Sequence, residues 1–153
     1  MSNKKILSSK TPADSHAVLS QYMLPQFSNR KGDIFGGHIL SLIDTTAAVC
    51  AMRHAEVFVV TAHIDASFLK PVNVGDVISL TADIAYVGKT SMDIVVEVEV
   101  EQLPKRTKVR TTTALVTMIA VDAKGKPTTV PPLRCETKED VARYKEVKKK
   151  RGK

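Results

Sequence analysis

The sequence predicts an α+β fold in which an antiparallel sheet wraps around one long central helix. Three observations support this class. The run Phe35–Ala55 is apolar almost throughout and is typical of a buried helix. Several later segments alternate apolar and polar residues, as antiparallel strands with one covered face do. The chain has 153 residues, of which 43% are hydrophobic, so we expect one domain with a sizeable core.

The first elements are a short strand and the long helix. Residues 1–15 are polar, and we expect them to form a flexible N-terminus. Ala17–Met23 is predicted as a strand that ends before Pro25, with a loop up to Asp33. Because apolar residues lie almost all round the helix at Phe35–Ala55, we expect it to be buried rather than amphipathic.

Four more strands and a last helix follow. Their β-rich or alternating patterns place the strands at Val57–Ile64, Val77–Tyr86, Met92–Val100 and Val109–Val121. Thr137 opens a sequence that resembles a capping box and predicts the last helix. We expect the folded domain over residues 16–135, with a C-terminal helix and basic tail over residues 136–153.

This order leaves the second face of the sheet without cover. The sheet of a partner subunit is the simplest cover, so we expect a dimer or a larger homo-oligomer.

The net charge is +7, and residues 145–153 carry +5 of it, which leaves +2 for the rest. We interpret this tail as a solvated end or a local attraction for phosphates, rather than as a specific nucleic-acid site.

No apolar run is long enough to span a membrane, and no signal peptide is recognisable, which favours the cytoplasm. Cys50 and Cys135 provide neither a disulfide framework nor a metal cluster, and we expect no metal or cofactor.

Asp44 is the leading candidate for chemistry. It lies among apolar residues in the middle of the predicted helix, where an ionised carboxylate needs hydrogen bonds or a function. Gly37 is two helical turns earlier on the same face, and Gly36 adjoins it. The free N–H groups of such a helix start can hold a polarised carbonyl oxygen. Asn29, in the preceding loop, has an amide that can donate to a carbonyl or orient a water.

Other candidates are weaker. His38 and His63 can act as bases, although a lone His beside an apolar run is more often a packed residue. Ser41, Thr45 and Thr46 have no His at a recognisable spacing, so a serine-type triad is not supported.

Several ordered motifs resemble the acyl-CoA hydrolases of hotdog fold. They are Asn29–Gly37, Leu42–Asp44, Val59–Asp65, Phe68–Val72 with Val74–Asp76, and Gly88–Met92. The resemblance covers roughly residues 17–148 and implies a hotdog fold that pairs across a dimer, commonly within a trimer of dimers. It implies an acyl-CoA thioesterase, with coenzyme A as part of the substrate and product.

The resemblance also implies roles for individual residues. Asp44 is expected to be catalytic with Gly37 polarising the carbonyl, while Asn29 assists from the facing subunit. The residues expected to bind substrate are Phe35, Gly36, Ala62, His63, Ile64, Lys89, Thr90, Ser91, Met92, Arg143 and Lys148, the last two through nucleotide phosphates.

The sequence leaves open the chemical role of Asp44 and the class of protein. Asp44 can act as a general base on water or as a nucleophile that forms an anhydride. The alternatives to a thioesterase are a non-catalytic acyl-CoA sensor, a hydroxyacyl thioester dehydratase and a nucleic-acid-binding module. A dehydratase usually needs a His with an acid, and no His stands at the Asp44 position.

Overall fold

The computed structural model describes residues 7–151, and its elements follow the predicted order. The elements are α1 (Pro12–Ser15), β1 (Ala17–Tyr22), a 3₁₀ turn (Pro25–Phe27), α2 (Gly36–Ala55), β2 (Phe58–Ala66), β3 (Val77–Val87), β4 (Ser91–Gln102), β5 (Thr107–Val121) and α3 (Lys138–Lys150). The predictions of five strands, the long helix and the last helix are confirmed. α1 was not predicted.

The strands form one antiparallel sheet in the order β1-β3-β4-β5-β2. Apolar residues at alternate positions of β3, β4 and β5 face α2 and are fully buried; they include Ile78, Leu80, Met92, Ile94, Val116 and Met118. The core therefore lies between the concave side of the sheet and the central helix. This arrangement confirms the predicted fold class.

The helix α2 is buried on one side only. Its residues facing the sheet, such as Ile39, Ile43 and Ala47, are buried. A second stripe of half-exposed or exposed residues runs along its other side: Gly37, Ser41, Asp44, Ala48 and Met52. The prediction of an all-round buried helix is therefore wrong for one chain alone, because this stripe stays at least partly exposed in the described part of the chain.

The outer face of the sheet corrects a second prediction. It was expected to need the sheet of a partner as cover. Instead, the face carries polar side chains. A shallow cleft of about 160 Å³ there is lined by Ser79, Thr81, Glu97, Glu99 and Arg110. The helix α3 packs across the outer side of β3, where the rings of Tyr86 and Tyr144 lie 5.2 Å apart. An apolar partner is therefore not required on this face.

The segment that precedes β1 is more ordered than predicted where the structure describes it. Residues 1–6 and 152–153 lie outside the described residues, but the expectation of a flexible segment does not fit Thr11–Ser15. Here the N–H of the N-cap residue Thr11 donates to Asp14 Oδ2 at 2.8 Å, and Thr11, Pro12 and Ser15 are buried. The capping box of α3 is confirmed, since Thr137 Oγ1 accepts from the Asp140 N–H at 3.0 Å.

Between residues 7 and 151, no helix combines the length and apolarity needed to cross a membrane.

Candidate active site

The start of α2 has free backbone donors. Its N-cap residue, Phe35, supplies no side-chain cap, and its carbonyl accepts first from the His38 N–H at 2.9 Å. The N–H groups of Gly36 and Gly37 have no backbone acceptor among the described residues. Because the positive end of the helix dipole lies here, the helix start can stabilise a negatively charged oxygen.

A cleft of about 470 Å³ opens at this helix start. Gln26, Phe27, Ser28, Phe35, Gly37 and His38 line it. The ring of Phe35, which is 60% exposed, lies over Gly37, so that a Cβ at Gly37 would come within 2.5 Å of Phe35 Cε1. Any larger residue at position 37 would therefore displace the ring. Phe68 lies 4.0 Å from the position of a Cβ at Gly36 and adds a second exposed ring.

The contacts of His38 give it a structural role. Its ring stacks on Phe27 with a centroid distance of 3.8 Å, and its Nε2 hydrogen-bonds to Gln21 Oε1 at 2.6 Å. These contacts fix the wall of the cleft and tie α2 to β1. His38 is thus a packed residue rather than a free base.

Asn29 is held in its loop through one end of its side chain. Its Oδ1 accepts from the N–H groups of Lys31 at 2.9 Å and Asp33 at 3.2 Å. Its own N–H donates to the Asp33 carbonyl at 2.7 Å. Because both donors require the oxygen at this position, the orientation of the amide is fixed and the NH₂ group points away from the turn. Asn29 is exposed and makes no hydrogen bond to Asp44 of its own chain within the described residues.

Asp44 is half-exposed on the open stripe of α2, so the prediction of a buried carboxylate is wrong for one chain. Its Oδ1 accepts from Thr61 Oγ1 of β2 at 2.6 Å. No described residue hydrogen-bonds to its Oδ2. The carboxylate is therefore oriented by one hydroxyl while one oxygen stays available.

Thr61 is a site residue that the sequence reasoning missed. A β-bulge at Ala62 shifts the register of β2 against β5 between Thr61 and His63. Since one extra residue reverses the alternation, Thr61 and Ile64 both face α2 although they are three positions apart. The available signal was Thr61 itself, a polar residue inside the apolar run Val57–Ile64.

The other residues of that motif lie on the edge of the sheet. Ala62 and His63 are exposed and Ile64 is half-buried. Ala62 occupies the bulge, and His63 pairs in register with Thr117. The structure thus places Ala62 and His63 on the surface beside the Asp44–Thr61 pair.

The residues at Lys89–Met92 form the turn between β3 and β4 and the first positions of β4. Lys89 is exposed, whereas Thr90 and Ser91 are half-buried. Met92 is fully buried and its side chain belongs to the core. A substrate contact at Met92 can therefore involve only its backbone, because the strand's alternation turns the side chain inward.

The two predicted phosphate ligands differ. Arg143 is committed to carboxylates, with Nη1 3.5 Å from Asp83 and Nη2 3.2 Å from Asp140. It fastens α3 to the sheet, so its prediction as a phosphate ligand does not fit this geometry. Lys148 is exposed, and its ammonium lies 6.0 Å from the centroid of the Tyr144 ring. It remains free to meet an anion.

Several groups lie apart from this site. Burial raises the pKa of the Cys50 thiol to about 12, so this cysteine is not a nucleophile at neutral pH. Cys50 and Cys135 are both free thiols. Within residues 7–151, no three His, Cys, Asp or Glu side chains converge in a way that would hold a metal ion.

Comparison with known proteins identifies relatives of the whole fold. Residues 31–106 match the thioesterase superfamily. The acyl-CoA thioester hydrolase YciA of Escherichia coli is 38% identical over 74% of this chain and 89% of its own. A hexameric acyl-CoA thioesterase of known structure is 37% identical, with a TM-score of 0.87 over 95% of this chain and 98% of its own.

A third relative offers a comparison residue by residue. The acyl-CoA hydrolase of Staphylococcus aureus, solved with butyryl coenzyme A and coenzyme A, is 30% identical. Its TM-score is 0.86 over 92% of this chain and 87% of its own. Alanine mutants of that enzyme were characterised at an asparagine, an aspartate and a threonine. Those three positions have the same spacing as Asn29, Asp44 and Thr61.

Proposed function

Because the chain belongs to the acyl-CoA thioester hydrolases of the thioesterase superfamily, we propose that it hydrolyses fatty acyl-CoA to a free fatty acid and coenzyme A. The observation that carries this proposal is the arrangement on one face of α2. The uncapped helix start at Gly37 and the available carboxylate of Asp44 lie two turns, or about 10 Å, apart along the helix axis. The cleft beside Gly37 offers room for a thioester carbonyl.

In the proposed reaction, the carbonyl oxygen of the thioester lies near the N–H of Gly37. The negative charge that develops on this oxygen is stabilised by the N–H group and the helix dipole. Because the Asp44 of the same helix lies about 10 Å from Gly37, the Asp44 that acts is proposed to be that of the facing subunit. It takes a proton from water as the water attacks, or it attacks directly to give an anhydride that water opens. Thr61 holds the carboxylate through its 2.6 Å hydrogen bond in either case.

The leaving group needs little help. A thiol has a pKa of about 8.5, so coenzyme A departs as a thiolate without a strong acid. One carboxylate with a helix start is therefore enough for the chemistry, and the proposed reaction uses no metal or cofactor.

We propose that the site is completed by a second subunit. Among the described residues, β2 pairs with β5 only, so its other edge has unpaired backbone groups. Phe58 and Val60 are 76% and 49% exposed on this strand, and the open stripe of α2 lies beside it. A second copy paired on this edge would cover these apolar residues. It would also bring in Asn29, whose NH₂ group is free to hold the carbonyl or the water.

The proposed assembly is a dimer at minimum and a trimer of such dimers in its complete form. The hexameric relative supports the larger assembly.

The proposed location is the cytoplasm, where coenzyme A thioesters are formed and used. Lys89, Thr90, Ser91 and Lys148 are proposed to meet the nucleotide of coenzyme A.

The test is a hydrolysis profile of the wild-type chain with acyl-CoA esters from short to long chains, followed through the released thiol. Turnover of at least one ester well above the uncatalysed rate is expected. Tight binding of acyl-CoA by calorimetry without any thiol release would contradict the proposal and would make the chain an acyl-CoA sensor instead.

A further inference from the structure

The end of α3 is fastened to the sheet by an ion pair outside the proposed site. Arg151, the residue that follows α3, donates from Nε to Asp93 Oδ2 at 2.5 Å. Thr117 Oγ1 donates to Oδ1 of the same carboxylate at 2.6 Å. Asp93 is only 2% exposed, and both of its oxygens are occupied. We call this arrangement of Asp93, Thr117 and Arg151 the C-terminal latch.

The latch also reaches the turn between β3 and β4. Arg151 Nη2 donates to Ser91 Oγ at 3.3 Å, and the guanidinium lies 4.6 Å from the centroid of the Tyr86 ring. A Cβ at Gly88 would stand 2.8 Å from Ser91 Oγ and 3.9 Å from Arg151 Nη1. A larger residue at Gly88 would therefore press on this contact. The turn and the helix end are held together as one unit.

A group of cations surrounds this unit. Lys148, Lys149 and Lys150 form the last turn of α3, and Lys89 lies in the β3–β4 turn; all four are exposed. Lys150 is 3.9 Å from Glu146, whereas Lys89, Lys148 and Lys149 have no ion-pair partner among the described residues. A helix end frays readily, because its last carbonyl groups have no donors within the helix. The latch opposes this by anchoring the next residue to a buried carboxylate.

Most of the hydrogen-bonding capacity of Arg151 is used within the latch, although its side chain is 34% exposed. Its hydrogen bond to Asp93 raises its pKa, so it stays charged. Two of its nitrogens are already used by Asp93 and Ser91. Its contribution is therefore the placement of neighbouring cations rather than direct contact with an anion.

We propose that the Asp93–Arg151 latch is a positioning device that holds the basic end of α3 against the β3–β4 turn and thereby sets the affinity for the phosphate-bearing nucleotide of the substrate. The proposal rests on the proposed function, since it concerns the nucleotide of the same acyl-CoA. It gives the latch no part in cleaving the thioester.

The test compares two substrates with the same acyl group. One is the acyl-CoA that the wild type hydrolyses best, and the other is the N-acetylcysteamine thioester, which lacks the nucleotide and its phosphates. Arg151→Met and Asp93→Asn are both expected to raise KM for the acyl-CoA by about tenfold, as loss of a charge-assisted contact would. The kcat for acyl-CoA and the kcat/KM for the cysteamine thioester should stay at the wild-type values.

Different outcomes overturn the proposal in different ways. An equal loss with both substrates would show that the latch acts only on the fold. A raised KM in Arg151→Met with an unchanged or lowered KM in Asp93→Asn would show that Arg151 contacts the phosphates directly, because Asp93→Asn frees this guanidinium. An unchanged KM in both variants would show that the latch has no role in binding.

Controls separate an effect of the latch from the loss of any surface charge and from misfolding of a variant. Arg134→Met removes an exposed arginine that pairs with Glu136 at 2.9 Å, and it should leave the KM for acyl-CoA unchanged. Arg151 lies at the end of the chain beyond the core, so Arg151→Met remains informative if Asp93→Asn does not fold. Failure of the wild type to hydrolyse any acyl-CoA would refute the proposed function itself, and this result is obtained before any variant is made.

Discussion

Two aspartate–threonine pairs lie on opposite faces of the sheet and have the same length. Thr61 donates to Asp44 on the inner side, and Thr117 donates to Asp93 on the outer side, both at 2.6 Å. They differ at the second carboxylate oxygen. In Asp93 it is bound by Arg151, whereas in Asp44 no described residue hydrogen-bonds to it. The unpaired oxygen, rather than the hydroxyl contact, therefore distinguishes the carboxylate that is proposed to react from the one that holds the fold together.

The largest difference between the pairs is expected in turnover. Asp44→Asn should lower kcat by on the order of a hundredfold or more, because the amide cannot take a proton from water or attack the thioester. Released thiol is measured with the best acyl-CoA. Glu97→Gln is the matched control, since it replaces a carboxylate on the outer face and should keep wild-type kcat. A folded Asp44→Asn with near wild-type kcat would refute the role of Asp44.

The hydroxyl of Thr61 is expected to have a smaller effect on catalysis. Thr61→Val removes the donor that orients Asp44 and should lower kcat by about tenfold, as expected for a hydrogen bond to a charged group. Thr61→Ser keeps the hydroxyl and should restore most of the rate. Equal rates in the valine and serine variants would mean that the hydroxyl does not orient the carboxylate.

The hydroxyl of Thr117 is expected to act on stability. Thr117→Val leaves one oxygen of the buried Asp93 without its donor, which should lower the free energy of unfolding by about 1–3 kcal/mol. Urea unfolding of Thr117→Val and wild type gives this difference. An unchanged midpoint would show that Arg151 alone is enough to stabilise Asp93.

His54 extends the comparison to a buried group without any charged partner. Its Nε2 donates to the Pro131 carbonyl at 2.8 Å, while its Nδ1 has no partner among the described residues. Burial lowers its pKa, so below about pH 6.5 the unfolded chain takes up a proton that the folded chain resists. Stability contributed by the neutral ring should therefore be lost as the pH falls below this value.

The measurement is the unfolding free energy at about pH 7.5 and about pH 5.5. Wild type should lose up to about 1.4 kcal/mol more than His54→Gln, which keeps a donor for Pro131 and cannot titrate. The same loss in both proteins would assign the acid sensitivity to other groups.

Much of the fold could be predicted because it depends on local patterns. The apolar run of α2 and the alternation in β3 and β4 identified the elements, and Asp44 stood out within its run. The position of Thr61 could not be predicted in this way. It depends on the bulge at Ala62, which arises from the pairing of β2 with β5, about 50 residues apart along the chain.

Two further expectations do not fit the structure, for different reasons. Arg143 was predicted as a phosphate ligand from its place near the basic tail, but α3 docks so that Asp83 and Asp140 hold it. The pair with Asp83 depends on how α3 packs on the sheet, whereas Asp140 is only three residues away on the same helix. The expectation of an apolar cover on the outer face overlooked that Thr81 and Glu97, at alternate positions, already make this face polar.

The central claim is that Asp44 works with Asn29 of a second subunit, and mixing two inactive variants tests it most directly. Asn29→Ala and Asp44→Asn are each expected to lose most activity. After the two are unfolded and refolded together, mixed dimers should contain one intact site, which would restore about a quarter of the wild-type activity if pairing is random. Activity that stays at the level of the separate variants would contradict a site shared between subunits.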